Sequence, residues 1–204
     1  MPAATSDVTV VLLAGGEATR LPRKLERTDH GDPLIVRAYE RLAPHFPVVI
    51  SASATFSPEI DARLTCPIVI DRWSRRGPLA GIVSAFAAFR TPLAFVVAAD
   101  MPQADADIAN RLLEHYSRGD DAVVPKHLDG VEPLCALYDR ISLLRNAPLV
   151  LSMSGAVRDL LAGMEVRFVP METARFANIN TRDDWGGVRD RAEGSGTSRQ
   201  GAPD

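Results

Sequence analysis

Short continuous apolar runs alternate along this chain with longer segments that carry apolar residues at helical spacing. Residues 8–14 (VTVVLLA) form an unbroken apolar or β-branched run, the pattern of a strand buried on both faces. Residues 48–52, 67–70, 93–99 and 121–125 repeat that pattern at strand length. Helices are predicted between and after them, over 33–43, 79–89, 105–116, 156–161 and 182–191. In the first, Leu34, Ile35, Ala38 and Leu42 share one helical face, with Arg37, Glu40 and Arg41 elsewhere. Pro33 suits the first turn, where a missing N–H costs little. Alternation at this pitch predicts an α/β fold: a three-layer α/β/α sandwich with a mainly parallel sheet. Such sheets bind ligands beyond the carboxyl ends of their strands, so the residue that ends each strand carries most information.

Composition narrows the class. The chain has 204 residues, 46% hydrophobic and 24% charged, with a net charge of −3. That is enough for one domain with a full core and short for two. Residues 193–204 (EGSGTSRQGAPD) hold no apolar side chain larger than alanine, so they are expected to form a disordered tail behind a domain spanning 1–192. No basic run resembles a nucleic-acid footprint, and no apolar run reaches the length of a membrane span. The N-terminus lacks a basic leader region and runs straight into the first strand, so a cytoplasmic protein is expected. Cys66 and Cys135 lie in apolar settings without partners at metal spacing and read as core thiols. His30, His45, His115 and His127 are scattered at no ligand spacing and read as surface residues.

The candidate chemistry begins where the first strand stops. Gly15 and Gly16 follow it directly, with Arg20 and Lys24 just downstream (LAGGEATRLPRK). Bare backbone N–H groups at a sheet's carboxyl edge suit phosphates, and two cations nearby suit the same charge. On its own the stretch also fits a strand, a flexible turn and a solvated basic loop. The G-x-G-x-x-G and G-x-x-x-x-G-K-[ST] patterns are absent, which argues against dinucleotide-binding and P-loop sites. Asp71 ends the third strand, before RWSRRGPLAGI, where Gly77-Pro78 makes a turn and Gly81 allows the next helix a close approach. It reads either as a ligand contact or as a solvated loop carboxylate or local cap. Asp100 ends the longest late apolar run (LAFVVAADMP). A carboxylate there would repel a triphosphate unless a divalent cation intervened, and Mg²⁺ binds through one or two carboxylates plus phosphates. The competing reading is a helix cap for the segment after Pro102.

Together, LAGGEATRL, IDRWSRRGPLAGI, VVAADMP, EPLCALY and FANINTRDDW resemble the molybdenum cofactor guanylyltransferase family, in order from Val8 to about Trp185. The resemblance implies a Rossmann-like nucleotidyltransferase fold, GTP and a molybdopterin-type acceptor as substrates, Mg²⁺ as cofactor and an apo-enzyme that receives the product. LAGG resembles the guanylyl-transferring branch, whereas cytidylyl-transferring relatives more often carry LAAG. By the same resemblance Leu13, Ala14, Gly15 and Gly16 form the nucleotide loop, and Arg20 and Lys24 meet the phosphates. Ser53 and Asp71 contact the nucleotide, Asp100 holds magnesium, and Asn178 and Asn180 face the acceptor. As residues alone, the two asparagines also read as a turn opening the last helix. Trp73 and Trp185 read as loop packing or as stacking surfaces.

The chain departs from the family where Arg20-Leu21-Pro22-Arg23-Lys24 replaces a longer R-[MF]-G-x-D-K, and where Ser53 replaces an asparagine. Two other functions stay open at this stage. One is a nucleotidyltransferase using CTP or another phosphorylated acceptor. The other is a catalytically idle nucleotide-binding protein that delivers the cofactor.

Overall fold

The computed structural model describes residues 3–15, 24–26, 32–71 and 77–176. Its strands are β1 (Val8–Ala14), β2 (Val48–Ala52), β3 (Ile68–Ile70), β4 (Leu93–Ala98), β5 (Ala122–His127), β6 (Gly130–Val131), β7 (Cys135–Asp139) and β8 (Val166–Pro170). Its helices are α1 (Leu34–Leu42), α2 (Pro58–Asp61), α3 (Pro78–Ala85), α4 (Ala106–His115), α5 (Arg140–Met153) and α6 (Val157–Leu160). One sheet runs β3-β2-β1-β4-β7-β5, and β5 also carries β6 and β8. β1 to β4 pair in parallel, while β7 enters antiparallel between β4 and β5. Both neighbours of β7 oppose it, so β5 runs in the sense of β4 and ends on the same rim.

Side-chain alternation on β1 divides the core. Val8, Val10 and Leu12 face a layer that includes Ile35, Val36 and Leu42 of α1 and Ile108, Ala109 and Leu112 of α4. Val11 and Leu13 face the opposite layer with Leu79, Ile82 and Ala85 of α3 and Leu143 and Ala147 of α5. The sheet is thus covered on both sides, as central parallel strands require. Two hydroxyls inside this core are paired: Thr91 Oγ1 donates to Thr9 Oγ1 at 2.8 Å, and the Tyr138 hydroxyl donates to Pro133 O at 2.8 Å.

The expected three-layer α/β/α sandwich and its mainly parallel sheet are present. α3 ends at Ala85 and continues as a 3-10 turn to Ala88, short of the predicted 79–89. Pro33 is the N-cap of α1, one position before the first turn. Five elements were not expected: α2, α5, β6, β7 and β8. The predicted helix over 182–191 and the tail over 193–204 lie outside the described residues. Among the described residues, no helix is long and apolar enough to cross a membrane.

Candidate active site

Parallel register brings the strand ends together. Ala14 pairs with Ala52, and Ala52 with Ile70. The Asp71 N–H then donates to Ala52 O at 2.8 Å, which sets Asp71 beside Ser53 at the end of β2. A Cβ on Gly15 would lie 3.5 Å from Ser53 N, so the first glycine of the loop rests against the same residue. On the other side of β1, the Ala99 N–H donates to Leu13 O at 3.0 Å, which holds Ala99 alongside Ala14 and brings Asp100, the next residue, to the same end of the sheet. Leu13, Ala14, Gly15, Ser53, Asp71 and Asp100 therefore share one rim of the sheet, as strand order predicts.

The two carboxylates occupy different environments. Asp71 is 7% exposed, and Ser84 Oγ of α3 donates to its Oδ1 at 3.3 Å. A Cβ on Gly81 would come within 2.8 Å of Ser51 Oγ and 3.7 Å of both Asp71 Oδ2 and Leu13 Cδ2. The solvated-carboxylate reading of Asp71 is thus wrong: α3 packs over it, and the missing side chain at Gly81 makes that approach feasible. The close neighbour at Gly81 is a hydroxyl.

Asp100 lies half-buried between Ala99, 1% exposed, and Met101, 2% exposed. It does not cap the helix that follows. That function belongs to Asp105, whose Oδ1 accepts from the Ile108 N–H at 3.1 Å. The cap reading of Asp100 therefore fails. Among the described residues no group of three or more His, Cys, Asp or Glu could hold a metal ion. The donors on the rim fit a hard cation that takes one carboxylate here and its remaining oxygens from phosphates and water, the habit of Mg²⁺.

Lys24 lies in a short 3-10 turn, Lys24–Glu26. Gly16, Arg20, Asn178 and Asn180 lie outside the described residues, as do Arg23, His30, Trp73 and Trp185. The structure therefore assembles the strand-borne part of the expected site.

Beyond β4 the rim continues into residues that sequence reasoning missed. His127 ends β5, and its side chain is only 5% exposed. Its Nε2 lies 2.9 Å from Glu132 Oε1, and its ring stacks on Phe176 with centroids 5.3 Å apart. The surface reading of His127 is corrected by that packing, whereas His45 and His115 are exposed. The signal was present in the spacing, since His127 and Glu132 flank the β5–β6 turn. Arg41 was also missed; its Nη2 donates to Met101 O at 3.2 Å. In sequence it looked like the polar face of α1.

Both cysteines are free. Burial pushes the Cys66 thiol up to about 11 and raises the fully buried Cys135 further, with Glu132 and Asp105 adding to the latter. Burial thus favours the protonated thiol at both positions. Cys135 is a core thiol as expected, and Cys66 is half-buried against the same core.

Residues 10–169 match the MobA-like NTP transferase domain. A probable molybdenum cofactor guanylyltransferase from Pelotomaculum thermopropionicum is 30% identical over 94% of this chain and 96% of its own length. Another from Opitutus terrae is 34% identical over 90% of this chain and 96% of its own. Among solved structures, molybdopterin-guanine dinucleotide biosynthesis protein A from Archaeoglobus fulgidus superposes with a TM-score of 0.74 at 26% identity, covering 91% of this chain and 99% of that one. A domain match over this much of the chain and relatives aligned along nearly their full length agree: the chain belongs to the MobA-like NTP transferase family.

Proposed function

We propose that this nucleotidyltransferase moves the GMP moiety of GTP onto the terminal phosphate of a molybdopterin-type acceptor. An acceptor phosphate oxygen forms a bond to the α-phosphorus of GTP. The bond from that phosphorus to the bridging oxygen breaks, and pyrophosphate leaves with the electron pair. The observation that carries this reading is the hydrogen bond from Ala99 N to Leu13 O, which sets a carboxylate beside the glycine turn at the end of β1.

The nucleophile is already anionic, so the protein needs no strong base and acts by positioning and charge neutralisation. Gly15 and Gly16 let the backbone approach the phosphates, and Leu13 and Ala14 lead the chain into that nucleotide loop. Ser53 and Asp71 contact the nucleotide. Arg20 and Lys24 stabilise charge growing on the leaving pyrophosphate, and Asn178 and Asn180 hold the acceptor. Asp100 holds Mg²⁺, which when bound screens the phosphate oxygens as a Lewis acid. An apo-enzyme that takes up the finished dinucleotide completes the set of partners.

Two measurements test this. Thermal melts with GTP, CTP, ATP and UTP, each with Mg²⁺, are expected to show the largest stabilisation with GTP. Pyrophosphate is expected to appear only when GTP, Mg²⁺ and molybdopterin are all present. Stabilisation by CTP would redirect the reading to a cytidylyltransferase. Binding of GTP without any pyrophosphate release would point to a delivery protein.

A further inference from the structure

Asp100 is the half-exposed link in a turn with several fixed backbone groups. The Ala99 N–H is held by Leu13 O, and the Met101 N–H donates to Ala98 O at 3.1 Å. Met101 O takes two donors at once, the Ala104 N–H at 3.2 Å and Arg41 Nη2 at 3.2 Å. Both lone pairs of that carbonyl are thus engaged, and the Met101–Pro102 peptide cannot rotate without breaking its bond to Arg41 of α1. At the far end of the turn, Arg175 Nη2 reaches Asp105 Oδ2 at 3.1 Å and Oδ1 at 3.3 Å, while Asp105 caps α4.

Arg41 is an expensive way to hold a carbonyl. Its Nε is buried and finds no hydrogen-bond partner among the described residues. Burial pulls the guanidinium pKa down, nearby Arg37 adds to that, and Asp105 opposes it. An apolar side chain would fill the space at the end of α1 without that cost. What an apolar residue could not do is donate to Met101 O.

We propose that Arg41 and Arg175 are positioning residues for Asp100: one pins the carbonyl of the next residue, Met101, from α1, and the other pins the end of its turn through Asp105. This rests on the reading of Asp100 as the magnesium carboxylate. Groups that orient a metal ligand without touching the metal typically contribute ten- to a hundredfold in metal affinity when removed. The turn is pinned at several points, so the lower figure applies.

The test uses the full chain with Mn²⁺ as a spectroscopic stand-in and a non-hydrolysable GTP analogue. Free Mn²⁺ is followed by electron paramagnetic resonance, and analogue binding without metal is measured in parallel. Arg41→Gln is expected to raise the Mn²⁺ concentration for half-saturation about tenfold, and Arg175→Gln about threefold, with metal-free analogue binding unchanged. Arg41→Lys is expected to recover part of the loss, because its ammonium can donate to the same carbonyl. Should Arg41→Gln fail to fold, Arg41→Lys and Arg175→Gln carry the comparison. Folded variants with wild-type Mn²⁺ affinity would overturn the inference. A wild-type chain that binds the analogue but no Mn²⁺ in its presence would overturn the magnesium reading, and the inference with it.

Discussion

Between Ala99 and Met101, both at most 2% exposed, Asp100 has little choice about where its carboxylate points. Pre-set geometry of this kind lets one carboxylate hold a metal that takes its other ligands from substrate. Asp100→Asn keeps the size and the turn but loses the negative charge. The expected result is an unchanged melting temperature and pyrophosphate release reduced at least a hundredfold, measured across a Mg²⁺ titration. A full rate at saturating Mg²⁺ would remove Asp100 from the site. At Lys24 the expectation is different in kind. Lys24→Ala should lower kcat by on the order of a hundredfold, about 3 kcal/mol, while GTP affinity changes much less, because its charge matters most as pyrophosphate leaves. Single-turnover rates beside equilibrium GTP binding separate the two effects. Arg23→Ala, measured in parallel, is expected to retain the rate; a collapse there with full activity in Lys24→Ala would exchange the roles of the two cations. Residues at strand ends were legible in the sequence because an apolar run that stops at Gly15, Asp71 or Asp100 marks a rim position. Arg41 was not legible, since its contact with Met101 crosses elements and no local spacing records it.

α3 sits where it does because two glycines admit it. Gly77, at φ +75°, leads into the helix, and a Cβ there would lie 2.7 Å from the backbone oxygen of Gly155. Gly155 itself has a φ of +68°. Neither backbone can yield, so Gly77→Ala is expected to destabilise the protein by about 2 kcal/mol or more, read as a lower urea midpoint. At Gly81 the obstacle is the Ser51 hydroxyl, a single rotatable atom. Gly81→Ala is therefore expected to cost only about 1 kcal/mol, and the Ser51→Ala background should remove most of that cost. An undiminished cost in that background would mean that the clash is with the sheet itself. Most element positions were readable from periodicity; those that were not have definite reasons. α5 distributes apolar residues around its circumference, with Ile141, Leu149 and Met153 all exposed, and carries Pro148 inside. No amphipathic stripe results, and the proline reads as a stop. Its real signal was the cap, where Asp139 Oδ1 accepts from the Ser142 N–H at 2.8 Å. β7 follows a tight turn after β6, and β8 (VRFVP) mixes an arginine and a proline into its five residues, as edge strands tolerate.

One sheet shared by two cores makes the rim a property of the whole molecule. β1 touches both layers, and the strands carrying Gly15, Ser53, Asp71 and Asp100 pair directly with it or with its neighbour β2. A ligand on that rim therefore stabilises the sheet as a unit, and Cys135 can report it. Cys135 lies fully buried on β7 opposite Val97 of β4. Its thiol is pushed up first by burial and then by Glu132 and Asp105, so it reacts only after β4 and β7 separate. GTP and Mg²⁺ at about 100 times the dissociation constant should add about 2.7 kcal/mol of stability. For a domain of this size that corresponds to a melting shift of roughly 5–11 °C. Alkylation of Cys135 is expected to slow about a hundredfold under the same conditions, provided closing outpaces the reagent. Cys66, half-buried ahead of β3 with its thiol at about 11, should react faster than Cys135 and respond much less to nucleotide. Mass spectrometry of the labelled thiols gives both rates in one experiment. If Cys135 labelled at the rate of Cys66 and ignored GTP while the melting temperature rose, β7 would open separately from the strands that build the rim. The antiparallel strand would then be a separable flank of the site, and cooperativity would end at β4.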